Sequence, residues 1–166
     1  MQTREEIMGG CNIRTRENPF YKARMEAAKY NDRLKSREGA AEALGIHPST
    51  IANYELGTRV NPQPDTVLCM ADLYNAPELL NHFCANECPI GLETTTEIQL
   101  EGLDRIALKT LSSLQGTERI KENLIEIVSD GQISEDEEQT MKEILDYLTQ
   151  IAETASELKL WVMKNI

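Results

Sequence analysis

The chain has 166 residues, 40% of them apolar and 27% charged, with a formal net charge of −11. That length suits one ordinary domain or two small ones with a real core. No apolar run approaches the ~18 residues that cross a membrane, and Met1 to Gly10 lack the apolar stretch of a secretory signal. A cytoplasmic protein is the expectation, with Cys11, Cys69, Cys84 and Cys88 as free thiols or metal ligands rather than disulfides.

The acidity is unevenly spread. Residues 1–60 carry 10 Lys/Arg against 8 Asp/Glu, a net of +2, and the remainder carries 7 against 20, a net of −13. A polyanion would meet the N-terminal part, with the acidic part held away from it.

In chain order, residues 1–18 show little periodicity and contain Gly9-Gly10; they read as a mobile arm. Pro19 suits the first turn of a helix, where its missing N–H is unsatisfied anyway. Phe20, Ala23, Ala27, Tyr30 and Leu34 then recur at spacings of three or four, one apolar helical face. Ser36 caps a second helix and Gly45 ends it. Pro48 opens a third that runs to Leu56, with Gly57 as its stop. Asn61-Pro62-Gln63-Pro64 is a loop. Asp65 precedes a fourth helix with Val67, Leu68, Ala71, Leu73 and Tyr74 inward. Pro77 opens a fifth with Leu79, Leu80 and Phe83. Cys88-Pro89-Ile90-Gly91 closes a domain over 19–91, and 92–96 reads as a linker.

Two long helical patterns fill 97–166. The first, from about Thr96 to Ser129, carries Leu100, Leu103, Ala107, Leu111 and Leu114, then Ile120, Leu124 and Ile127; Gly116 marks a kink or a change of face. The second, from about Ser134 to Lys164, carries Met141, Ile144, Leu148, Ile151, Ala155, Leu158 and Val162 in alternating steps of three and four, a heptad seam. Between them, Gly131 stops one helix, Ser134 caps the next and Glu137 completes a capping box. A calcium loop over the same residues fails because Val128 would fall at a ligand position. The expected architecture is all-α: five short helices, then an antiparallel hairpin of long helices whose seams pair with a second copy, making a homodimer.

Residues 36–57 carry the most specific signal. Two helices that cross steeply need a small residue where they meet, and Ala41 supplies it; the tight turn between them needs positive φ, which Gly45 tolerates. Ala40, Leu44, Ile46, Ile51 and Tyr54 have the spacing of an apolar wedge. The other face of the third helix is small and polar at Ser49, Thr50 and Asn53, side chains that fit against base edges in a major groove.

The pattern Ala-x-x-Leu-Gly-Ile-x-x-Ser-Thr-Ile-x-x-Tyr-Glu-x-Gly over Ala41 to Gly57, followed by a Pro-containing loop and a helix with Leu68 and Ala71, resembles the lambda-repressor-like (XRE) helix-turn-helix regulators over residues 19–80. The C-terminal part has no counterpart in that resemblance. It implies a five-helix domain that binds double-stranded DNA with the helix from Pro48. The DNA-contacting set it implies is Lys35 and Arg37 at the start of the second helix, Pro48, Ser49, Thr50 and Asn53 on the third, and Thr58, Arg59 and Asn61 after it. The sequence departs from the family at three places: Arg37 replaces the usual Gln, His47 replaces the usual Ser cap, and Gly39 lies mid-helix. Glu55 reads as structural.

The expected role is transcriptional regulation, by repression, in a bacterium, prophage or mobile element. The alternative is an adaptor or antitoxin-like protein whose acidic helices bind a partner. His82, Cys84 and Cys88 supply three metal ligands at most where a zinc site needs four, so buried thiols are the expectation and no cofactor is assigned. His47 and His82 are the only histidines, and with no nucleophile–base set or Gly-rich phosphate loop nothing argues for an enzyme.

Overall fold

The computed structural model describes residues 17–58, 62–127, 134–135 and 137–166. They are all-α, with no strand among them. The chain divides into two compact units, Met1–Glu97 and Ile98–Ile166.

In the first unit α1 spans Pro19–Ala27, a 3-10 turn Asp32–Lys35, α2 Arg37–Leu44, α3 Pro48–Leu56, α4 Pro64–Leu73, α5 Glu78–Asn86 and α6 Gly91–Thr94. Local chemistry sets most of these ends. Asn18 caps α1, its Oδ1 accepting from the amides of Phe20 and Tyr21. Ser36 Oγ accepts from Gly39 N at 3.0 Å and starts α2. Gly45 and Gly57 end α2 and α3 at φ of 65° and 61°, where a Cβ would be strained.

The core gathers Phe20, Ala23, Leu34, Ala40, Ala41, Ile51, Tyr54, Val67, Met70, Ala71, Tyr74 and Leu79. Ala41 lies buried at the α2–α3 crossing, as its size demands. Tyr30, expected on the inner face of α1, is 89% exposed. The helix ends at Ala27, so the three-to-four spacing stops meaning anything three residues before Tyr30. Leu68 is also outward; Met70 takes the inner place on α4, one turn from Val67 and Tyr74. Residues 92–94, expected as linker, belong to α6. A Cβ on Gly91 would stand 2.1 Å from the Cys84 carbonyl oxygen, so only glycine lets that short helix sit against the α5 backbone.

In the second unit α7 spans Leu103–Leu114, α8 Thr117–Ile127 and α9 Glu138–Asn165. The single first arm expected from 96 to 129 is broken at Gln115–Gly116. Tyr147 of α9 supplies the cause. Its hydroxyl donates to the Ser113 carbonyl at 2.5 Å, occupying an acceptor that a continuous helix would keep. A Cβ on Gly116 would stand 2.9 Å from the Tyr147 ring. The long arm begins at Glu138 rather than Ser134. The Glu137 carboxylate does accept from Ser134 N at 2.8 Å, one half of the expected box. The Ser134 hydroxyl donates to that same carboxylate instead of capping a helical amide. Gly131 lies outside the described residues, as does the arm over residues 1–16.

The α7–α9 pair is antiparallel: Lys109 meets Glu157 near one end and Ser113 meets Tyr147 near the other. Ile120 and Ile127 of α8 pack with Ile144, Met141 and Tyr147. No described helix is long and apolar enough to cross a membrane.

Candidate nucleic-acid interface

The turn between α2 and α3 is built from backbone outward. Ile46 N donates to Ala41 O at 3.0 Å across Gly45, closing the end of α2. His47 then caps α3, its Nδ1 accepting from Ser49 N at 3.2 Å. Because Nδ1 accepts there, the Ser49 hydroxyl donates to the same atom, 2.7 Å away. The imidazole thus does the work of the serine it replaces, and Pro48 sits in the first turn where no N–H is needed. At the other end Thr58 N donates to Asn53 O and Gly57 N to Tyr54 O, the paired bonds of a glycine-terminated helix.

One face of α3 is locked. Ile51 is fully buried, and Tyr54 packs its ring 5.9 Å from that of Phe20. The Tyr54 hydroxyl accepts from Gln63 N, and its carbonyl accepts from the Asn18 amide. The other face holds Pro48, Thr50 and Asn53 half-buried and Ser49 exposed.

Beneath this helix lies a charge cluster. Glu55 is 1% exposed and receives Arg24 Nε at 2.5 Å and Nη2 at 3.1 Å, a two-pronged pair. Arg24, buried as well, also donates through Nη1 to the carbonyls of Leu34 and Lys35. Arg37 Nε donates to Glu55 Oε2 at 2.7 Å. Glu55 therefore ties α1, α2 and α3 together, and Arg24 adds the 3-10 turn. Two cations face one carboxylate, leaving one positive charge in excess. It emerges at Arg37, whose side chain is 32% exposed. Nearby, burial pushes the Tyr74 phenol well above the ordinary tyrosine range, and its hydroxyl has no hydrogen-bond partner among the described residues.

The sequence-predicted residues fall out as follows. Arg37 is half-buried at the start of α2 beside Glu55, and Pro48, Ser49, Thr50 and Asn53 lie along the first two turns of α3. Lys35 is exposed just before α2, with its Nζ 2.7 Å from Asp32 Oδ1. Thr58 is exposed beyond α3, its hydroxyl donating to Asn53 O. Arg59 and Asn61 lie outside the described residues. Gly39 has a physical reason: a Cβ there would stand 2.1 Å from the Arg33 carbonyl oxygen, so α2 can pass over the 3-10 turn only with glycine. Sequence reasoning missed Arg24. Its position next to Ala23 on the α1 face was the available signal, but a cation there reads as solvated until a buried carboxylate arrives from 31 residues away.

His82, Cys84 and Cys88 do not converge. His82 Nδ1 lies 2.8 Å from Glu97 Oε1, both thiols are half-buried and free, and no metal-holding group of three His/Cys/Asp/Glu occurs among the described residues.

A family model described as a helix-turn-helix domain matches residues 22–83. That segment is a helix-turn-helix domain, consistent with the lambda-repressor-like resemblance, and the match ends before the second unit. Comparison with curated proteins and with solved structures finds no match.

Proposed function

We propose that the protein is a sequence-specific double-stranded DNA-binding transcriptional regulator that lays α3 in the major groove. The observation that carries this is the division of α3: Ile51, Tyr54 and Glu55 hold it rigidly, while Pro48, Ser49, Thr50 and Asn53 line the outer side. Small polar groups on a fixed helix suit base-edge contacts, with Asn53 able to pair bidentately with adenine. Arg37, tethered to Glu55 through one nitrogen, offers the rest of its guanidinium to phosphate or guanine. Lys35, Thr58, Arg59 and Asn61 contact the backbone on either side. Charge supports the same orientation: all ten Lys/Arg of residues 1–97 precede residue 60, and none lies in 61–97.

The working unit is a homodimer on a palindromic operator, since one helix in one groove binds weakly and two half-sites read together multiply affinity. Its regulatory sense is repression, by occupying the operator, in the cytoplasm of a bacterium or a mobile element's host. Selection of bound duplexes from a random DNA pool tests the reading. The expected result is one enriched half-site, repeated with two-fold symmetry. Replacing Arg37 and Asn53 together by Ala should abolish retention of the selected duplex; unchanged retention would remove these residues from the interface.

A further inference from the structure

We infer that one side of the α7–α9 pair is the surface on which a second copy of this chain docks. The inference takes from the proposed regulator only that its working unit is a homodimer, and it names the face that makes one.

The α7 helix is strongly amphipathic, yet it turns the wrong face inward for a finished fold. Its buried side is Ile106, Thr110 and Ser113. The two hydroxyls are satisfied on their own helix, Thr110 to Ile106 O and Ser113 to Thr110 O. All four of its leucines are left uncovered: Leu103 is 43% exposed, Leu108 68%, Leu111 63% and Leu114 51%, and Leu103, Leu111 and Leu114 form a stripe with the exposed Ala107. The α9 helix repeats the pattern. Ile144, Ile151, Thr154, Leu158 and Leu160 are buried or half-buried, while Leu145 at 55%, Met163 at 51%, Leu148 at 45%, Val162 at 41% and Ala155 remain exposed, the last three in one stripe.

The two stripes lie on the same side. At 100° per residue, Lys109 and Ser112 turn one way from the inward Ile106, and Leu103, Ala107, Leu111 and Leu114 turn the other. On α9, Gln150, Glu153 and Glu157 turn one way from Thr154, and Leu148, Ala155 and Val162 the other. Lys109, Ser112, Gln150, Glu153 and Glu157, with Leu108 the one apolar side chain among them, line one shared surface groove, which sets the mainly polar side of the pair. In an antiparallel pair the remaining flanks also face a common side, so the apolar stripes form one face.

Its charge argues for the occupant. Residues 98–166 carry 7 Lys/Arg and 14 Asp/Glu, a net of −7. A basic partner would follow that acidity. The apolar face carries almost none of it: by helical position its outer edges hold Asp104 on α7 and Lys159 on α9, one charge of each sign. A face that is apolar at the centre and balanced at the rim suits an identical face related by a two-fold axis. Its exposed apolar side chains offer on the order of 500 Å², near the upper end of the ~300–600 Å² that a monomer normally leaves bare. With a polar rim it reaches the scale of a standard interface, ~800 Å² per partner. The product is a four-helix arrangement of two α7 and two α9.

Sedimentation equilibrium of the full chain at about 50 µM decides it. Wild type should have twice the monomer mass. Leu111→Ala with Leu148→Ala should keep its helical circular dichroism while the dimer dissociation constant rises at least 100-fold. Ser112→Glu with Gln150→Glu, on the polar side, should dimerise as wild type does. A wild-type monomer would overturn both this face and the homodimer reading. A wild-type dimer that survives the leucine pair, or that the polar-side pair breaks, overturns the face alone.

Discussion

The two units treat their apolar residues in opposite ways. In the first, Leu34, Ile51, Val67, Met70 and Leu79 are all but inaccessible, and even a carboxylate and a guanidinium are buried because each finds the other. In the second, Ile106, Ile120, Ile127, Ile144 and Leu160 share the interior with Ser113 and Thr154, while five of its Leu and Val side chains stand largely in solvent along two stripes. Similar lengths of helix thus reach different ends. The first unit closes on itself and leaves outside only what its surface needs to be. The second leaves part of its apolar surface uncovered, the face on which we propose that a second copy docks.

The largest effect that tests this contrast is at Glu55. Replacing it by Ala strands Arg24 as an unpaired buried charge and should cost about 3–5 kcal/mol, a large part of the ~5–15 kcal/mol that holds a domain together. Urea denaturation of the full chain measures it; a loss below about 1 kcal/mol would mean that the cluster is not the keystone of the first unit.

Next come the glycines. Gly39→Ala gains about 1 kcal/mol of helix propensity, yet its Cβ meets a backbone oxygen that cannot step aside. A net loss of roughly 1–3 kcal/mol is expected, as for other overpacked sites. Gly116→Ala meets only the edge of the Tyr147 ring, which can shift, so its loss should be smaller than that of Gly39→Ala. The reverse order in thermal melts would contradict the close α2 crossing.

Smaller and concentration-dependent is Leu111→Ala. In dilute solution the substitution should fall within the ~0.5 kcal/mol typical of surface positions. At high protein concentration it should lower the melting temperature relative to wild type, because association stabilises by mass action. An Ile51→Ala variant in the first unit should instead lose about 2–5 kcal/mol at any concentration.

The smallest effect is electrostatic. Bonds to the carboxylates of Glu101 and Glu157 raise the Lys109 ammonium above the ordinary lysine range. A pKa higher in the folded state means that the contribution is fully present below the unfolded value of about 10.4 and is lost as pH climbs through the folded one. The melting-temperature gap between wild type and Lys109→Met should therefore be constant from pH 7 to 9 and narrow above that. A gap that widens with pH would show that Lys109 does not act through these carboxylates.

Much of the helix-turn-helix was legible from the chain because its determinants are local. Ser36, Gly45, Pro48 and Gly57 act on amides and φ angles within a few residues, so the bounds of α2 and α3 follow from their chemistry alone. The small residue at Ala41 and the wedge of Ile51 and Tyr54 belong to the same short range. Gly39, by contrast, looked like a departure with only a cost, since nothing near it in sequence discloses the Arg33 carbonyl beneath.

What the sequence by itself determined is the all-α class, the helix-turn-helix and its polar outer face, and two amphipathic stripes in the second unit. Only the tertiary structure decided where those patterns stop and which way they turn. A three-to-four repeat records that a helix has an apolar side, not whether that side meets its own chain. Tyr30 followed the repeat past the end of its helix; Leu111 and Leu148 followed it faithfully and still face outward. Arg24 lay on the apolar face of α1 as a charge that reads as solvated, and it is buried because Glu55, 31 residues on, makes burial of its charge affordable.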